Sequence, residues 1–211
     1  MEKIIFHKET KTFHLYNEEI SYIMCVLENG HMGQLYYGKR IHDKPDFSYL
    51  VEKCGRPMTS YIFEGDRSFS LEHIRQEYPV YGTTDYRHPA IEIMQENGSN
   101  ISEFKYVGYE ILKGKPSLKG LPATYTESEE EAETLKIILK DSLTGAKLTL
   151  LYTIFSKGSA IARSAHICNE GEKVLHLQTM MSLNLDLPDK DYVWMQLSGA
   201  WSRERYVKNR I

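Results

Sequence analysis

"TLKIILKDSLTGAKLTLLYTIF", residues Thr134–Phe155, decides the fold class. Leu135, Ile137 and Leu139 recur at every second residue, so they share one face of an extended chain. "SLTGA" then breaks the run with small polar residues and Gly145, the chemistry of a tight turn, before "KLTLLYTIF" resumes. Working outward, the same pattern returns. "TFHLYN" sets Phe13 and Leu15 between polar neighbours and passes through "NEE" into "ISYIMCVL" (Ile20–Leu27), a hairpin signature. "GQLYYGKRI" (Gly33–Ile41), "AIEIMQ" (Ala90–Gln95), "EFKYVGYEIL" (Glu103–Leu112), "AIARSAHICN" (Ala160–Asn169) and "VLHLQTMMSLNLDL" (Val174–Leu187) read as further strands. The turns "ENGSN" and "EGEK" and the Gly/Pro loop "KGKPSLKGLP" punctuate them. No amphipathic pattern longer than two helical turns and no internal repeat is present. The expectation is an all-β protein, an antiparallel two-sheet sandwich with little helix.

Composition bounds the function. The 211 residues suit one β-sandwich domain, and 41% hydrophobic residues supply ample core. Tyrosine is over-represented, 15 against 7 Phe, which fits both sheets and polar ligand surfaces. A net charge of −3 argues against general nucleic-acid binding. Cys25, Cys54 and Cys168 are odd in number and unpaired in spacing, as expected of reduced thiols in a cytoplasmic protein. "MEKIIFHKETKT" lacks the apolar run of a signal peptide, and no stretch approaches the roughly 20 apolar residues of a membrane span.

Three stretches carry candidate chemistry. Between about Asp43 and Thr84 the strand pattern gives way to Gly, Pro, charge and isolated aromatics, with at most one helical turn near "SLEHIRQ". Irregular stretches of this length are usually functional. Near its start, "DKPDFSYL" presents Asp46 beside Phe47. A carboxylate can accept sugar hydroxyl hydrogen bonds while a ring packs on C–H faces; the same residues also suit a loop with one buried anchor. In "YGTTDYRHPAIEI" (Tyr81–Ile93), Asp85 and Arg87 stand two apart on one side of an extended chain. They can pair as a loop anchor or contact a ligand. The chain closes with "LSGAWSRERYVKNRI" (Leu197–Ile211), where Trp201, Arg203, Glu204 and Arg205 are crowded with Lys208 and Arg210.

Other features point away from chemistry. The acidic run Glu127–Glu133 lacks the Gly or Asn interleaving of a cation loop and reads as a solvated turn. The eight histidines form no HxH or HxxxH pair and the cysteines no CxxC, so no metal or cofactor is expected; His14, His166 and His176 read as sheet residues. Cys25, inside "YIMCVL", reads as core. No phosphate loop, no G-x-S-x-G elbow and no carboxyl pair placed for glycoside hydrolysis is found, so no catalytic residue is assigned.

Taken in order, "LENGHMGQLYYGKRIH", "EYPVYGTTDYRHPAIEI", "LPATYTESEEEAETLKIILKDSLTGAKLTLLYTIF", "RSAHICNEG" and "LNLDLPDKDYVWMQLSGAWSRER" resemble the N-terminal domain of the bacterial α-galactosidases of glycoside hydrolase family 36. The likeness runs from about Ile20 to Arg210. It implies a β-supersandwich that precedes a (β/α)8 barrel bearing the two catalytic aspartates. Residues 1–211 would then be one N-terminal domain, with 197–211 as the junction toward a barrel absent from this sequence. Trp201 would pack where sandwich meets barrel, and Arg203, Glu204 and Arg205 would serve pairing and interface contacts. Bacterial members often form tetramers in which this domain reaches a neighbour's active site, a role the resemblance carries onto Asp46 and Phe47. The implied substrates are α-galactoside oligosaccharides such as melibiose and raffinose, met through the whole enzyme, with this portion inactive alone. Two departures stand out: the family's usual Gly-Asp-Phe-Arg is here Thr84-Asp85-Tyr86-Arg87, and Ser202 replaces a frequent alanine. The contrasting expectation is a free-standing carbohydrate-binding or structural sandwich without catalysis.

Overall fold

The computed structural model describes residues 3–55, 58, 60–120 and 123–210. Twelve strands are found among them: β1 (Ile4–His7), β2 (Thr12–Tyr16), β3 (Ile20–Val26), β4 (Met32–Lys39), β5 (Ile91–Gln95), β6 (Lys105–Lys113), β7 (Ala132–Lys140), β8 (Ala146–Phe155), β9 (Ile161–Asn169), β10 (Leu175–Met180), β11 (Trp194–Ala200) and β12 (Arg203–Arg210). β1-β2-β3-β4 and β6-β7-β8-β9 are two four-stranded antiparallel meanders; β5 pairs with β10, and β11 with β12. Among the described residues, helix is confined to 3-10 turns at Ser48–Leu50 and Glu129–Glu131. Near "SLEHIRQ" one turn closes, where the Ile74 N–H donates to the Ser70 carbonyl at 3.2 Å.

The opening hairpin forms as read. Leu135 faces Tyr152 and Ile137 faces Leu150 across β7 and β8. Their side chains are buried with Phe13, Leu15, Tyr22 and Met24 of the first sheet in one core cluster, which makes the two meanders a sandwich. Each such side chain contributes about 1.5–3 kcal/mol by leaving water. Rings bridge the layers: Tyr109 of β6 lies 4.6 Å from Phe6 and meets Phe13 edge-on at 5.1 Å. At one end Asn17 ties the β2–β3 turn to the second sheet, its amide donating to the carbonyls of Phe155 and Gly158 at 2.9 and 2.8 Å.

The polar partners of Phe13 and Leu15 do not face water. β2 and β3 are buried on both sides, because the excursion lies over the outer face of the first sheet. Phe47, Phe69, Leu71 and Ile74 from the excursion form a second cluster with Ile23, Cys25, Leu27 and Leu35. The excursion also lengthens the sheet: Gln34 N–H donates to Arg75 O at 3.0 Å and Glu77 N–H to Met32 O at 2.8 Å along the free edge of β4. The acidic run is an exposed turn that opens into β7.

One buried polar knot locks excursion, both sheets and the stretch after β10. The Arg163 guanidinium lies 2.6 Å from Glu77 and 4.7 Å above the Tyr152 ring, and donates to Asn184 O at 3.0 Å. The Tyr22 hydroxyl donates to Glu77 at 2.7 Å. Burial first, then the Glu77 carboxylate, pushes the Tyr22 and Tyr152 hydroxyls well above their ordinary range, so both remain protonated.

Candidate functional site

The segment leaving β4 carries the expected acid and ring, and the two part company. Asp46 is exposed, whereas Phe47 is 0% exposed and belongs to the outer core cluster. A ring so placed offers no face to a ligand in this chain; it anchors the loop. The ring presented to solvent is Tyr49, 63% exposed, with the Lys44 ammonium 5.6 Å from its centroid. The sequence held Tyr49 in "DFSYL", but alternation in an irregular loop does not say which aromatic turns inward.

Asp46 is braced by its own turn. The Ser48 N–H donates to its Oδ1 at 2.7 Å and the Ser48 hydroxyl to its Oδ2 at 3.0 Å. These two bonds, the backbone one first, hold the carboxyl below its ordinary range, so it is a committed anion with lone pairs to spare. Behind it opens a cavity of about 400 Å³, with Thr10, Thr12, Lys53 and Phe69 in its wall. Cys25 on the floor is no nucleophile: burial pushes its thiol up to about 12.

The root of this loop is fixed by side chains whose spacing gave no signal. Asp43 Oδ1 accepts hydrogen bonds from His14 Nδ1 at 2.7 Å and His7 Nε2 at 3.0 Å. His14 Nε2 meets Ser21 Oγ at 2.9 Å, and Ser21 Oγ accepts the Ile41 N–H at 3.0 Å. The Phe47 ring stands edge-on to His14 at 5.5 Å. His14 and Ser21 are diagonal neighbours on the outer face, since Tyr16 pairs with Ser21 and His14 with Ile23. Ser21 is fully buried, so this Ser–His–Asp array is a fastening rather than a nucleophilic triad.

Asp85 and Arg87 do pair. Arg87 Nε and its terminal nitrogen donate to the two Asp85 oxygens at 2.8 and 2.9 Å, and Gln76 Nε2 donates to the same buried carboxylate at 2.6 Å. Arg87 also donates to Leu71 O at 3.0 Å, which stitches the excursion's return to its middle. The Asp85 hydrogen bonds first, and its charge after partial burial, hold Arg87 firmly protonated.

The closing cluster lies on a hairpin exposed on both faces. Trp201 and Ser202 form the turn, and Trp201 is 93% exposed. Arg203, Glu204 and Arg205 are exposed, with no ion-pair partner among the described residues. Gly199 is required where β12 bulges: a Cβ there would lie 2.4 Å from Arg203 O. Ile211, the last residue of the expected junction, lies outside the described residues. Among the described residues, no group of three or more His, Cys, Asp or Glu could hold a metal ion, and no helix is long and apolar enough to cross a membrane.

Residues 30–211 match the Glycosyl hydrolase family 36 N-terminal domain. The alpha-galactosidase AgaA of Geobacillus stearothermophilus is 42% identical over 207 residues, which is 98% of this chain and 28% of AgaA. The crystal structure of an alpha-galactosidase from Lactobacillus brevis superimposes with a TM-score of 0.93 at 38% identity, over 98% of this chain and 28% of that one. A variant of AgaA solved in complex with raffinose gives 0.89 at 42% identity, over 95% and 28%. The chain spans little more than a quarter of the length of these relatives.

Proposed function

As the chain belongs to the glycosyl hydrolase family 36 N-terminal domain family, we propose that it is the N-terminal sandwich of a retaining α-galactosidase acting on terminal α-galactosyl residues. Melibiose and raffinose are the substrates proposed, the latter because an AgaA variant was solved with it. Both catalytic carboxyls belong to a barrel domain in this reading, and the sandwich contributes position rather than chemistry. The proposed assembly is a cytoplasmic homotetramer in which the loop of one subunit completes a neighbour's sugar site. Asp46 would meet sugar hydroxyls, with Phe47 holding the loop from beneath.

The observation that carries this reading is the loop itself. An ionised carboxylate stands exposed at its tip while the ring beside it is sunk in the outer core. A rigid root with a free anion at the end is what a contact made across a subunit boundary requires. The β11–β12 hairpin, with Trp201 unburied in its turn, supports a role as the junction to the barrel. The test is Asp46→Ala in the enzyme that carries this domain. KM for raffinose should rise about tenfold, the loss of one charge-assisted hydrogen bond, with kcat within twofold and the tetramer intact. An unchanged KM overturns the role of the loop.

A further inference from the structure

Resting on that reading of the Asp46 loop, we propose that His14 is its positioning residue: the neutral imidazole latches the loop to the first sheet, and protonation releases it. Hydrogen-bond direction leaves one arrangement. Ionised Asp43 only accepts, so His14 Nδ1 carries the proton toward it, and Nε2 must then accept from the Ser21 hydroxyl. Ser21 in turn accepts the Ile41 N–H, the second amide beyond β4. Asp43 Oδ1 accepts from both His14 and His7, and Ser21 Oγ both donates to His14 and accepts from Ile41. His14 and Ser21 are both fully buried.

A second proton on His14 would occupy Nε2, the atom that now accepts. The fully buried Ser21 hydroxyl would lose the one acceptor it has among the described residues, while the imidazolium would be buried. Phe47 rests on the same ring, so the anchor under Asp46 would be disturbed with it.

The charged neighbours decide the sign. Asp43 from the loop favours the imidazolium; His7 from β1 and Arg40 beyond β4 oppose it, and the rings of Tyr16 and Phe47 close the remaining sides. Burial is the largest influence, and the balance places His14 below its ordinary 6.5. The unfolded chain therefore takes up the proton first. The latch is fully present above pH 6.5 and weakens progressively as pH falls below it. Partial burial raises Asp43, but the hydrogen bonds from His7 and His14 outweigh it and hold the carboxyl below its ordinary 3.8. Its own contribution is lost only in more acid solution, so the window between about 5 and 6.5 belongs to histidine.

Hydrogen exchange of the 211-residue chain, corrected for intrinsic rates, tests this on peptides covering residues 41–50. At pH 7.5 they should be protected, and at pH 5.5 exchange should be at least tenfold faster while β7 and β8 stay protected. His14→Ala empties a fully buried site and endangers the fold, so Asp43→Ala, on a side chain 30% exposed, is the variant of choice. It should exchange fast at both pH values. His7→Ala should keep the pH response, and its loss would shift the role from His14 to His7 and overturn the assignment. Equal protection of the native loop at both pH values, or full protection in Asp43→Ala, also overturns the inference. In the enzyme that carries the domain, Asp43→Ala should raise KM for raffinose as Asp46→Ala does, with kcat retained. A KM that responds to Asp46→Ala but not to Asp43→Ala contradicts the inference. A KM unmoved by Asp46→Ala instead overturns the sugar-site reading, and exchange alone then decides the latch.

Discussion

Thr83 and Thr84 sit at φ +51° and +73° in a two-residue turn closed by paired bonds between Gly82 and Asp85. β-branched residues resist this left-handed region, which costs on the order of 1–3 kcal/mol per residue. Thr84 recovers part of that cost, because its hydroxyl accepts the Leu71 N–H at 3.1 Å. Thr83→Gly should therefore stabilise the domain by about 1 kcal/mol, and Thr84→Gly by less, in urea unfolding. The strain aims Asp85 at Gln76 and Arg87. Asp85→Ala should cost about 2 kcal/mol, since buried Gln76 loses its acceptor while half-exposed Arg87 can turn to water. The i, i+2 spacing of that pair was visible in sequence; its depth was not, because burial depends on the segment that folds over it.

At the scale of elements, the strands legible beforehand were those whose periodicity burial enforces. β7 alternates buried and half-buried residues from Leu135 to Leu139 and β8 from Ala146 to Tyr152, and the "NEE" turn separates β2 from β3 as expected. Four-residue β1 is too short to show a period, and β11 and β12 bury neither face, so no pattern announced them as a hairpin. The excursion was readable as irregular but not as a third layer. Its apolar residues are isolated in sequence and meet only after the chain has turned back on the sheet. The same holds for Asp43, His14 and Ser21, which register and loop return bring together. If the excursion is a true core layer, Phe69→Ala should cost about 3–5 kcal/mol, as much as a ring lost between the sheets, read from the urea midpoint at constant m-value. A cost below 1 kcal/mol would make it a loose cover.

Across the whole molecule, polar fastening and exposed apolar surface are sharply divided. Tyr22, Glu77, Tyr152 and Arg163 lock the sandwich internally, while Trp194, Met195, Leu197 and Trp201 stand in solvent on the hairpin. Exposed apolar patches of that kind are typical of interaction surfaces. Position and assembly are the roles proposed for this domain, and the cleavage itself is proposed to belong to another. The most direct measurement is an assay of the purified 211-residue chain against p-nitrophenyl α-galactoside and raffinose over a wide substrate range. The expected result is hydrolysis no faster than buffer and linear in substrate. Saturable hydrolysis that scales with protein concentration would contradict the account, because it would put the catalytic carboxyls within this chain.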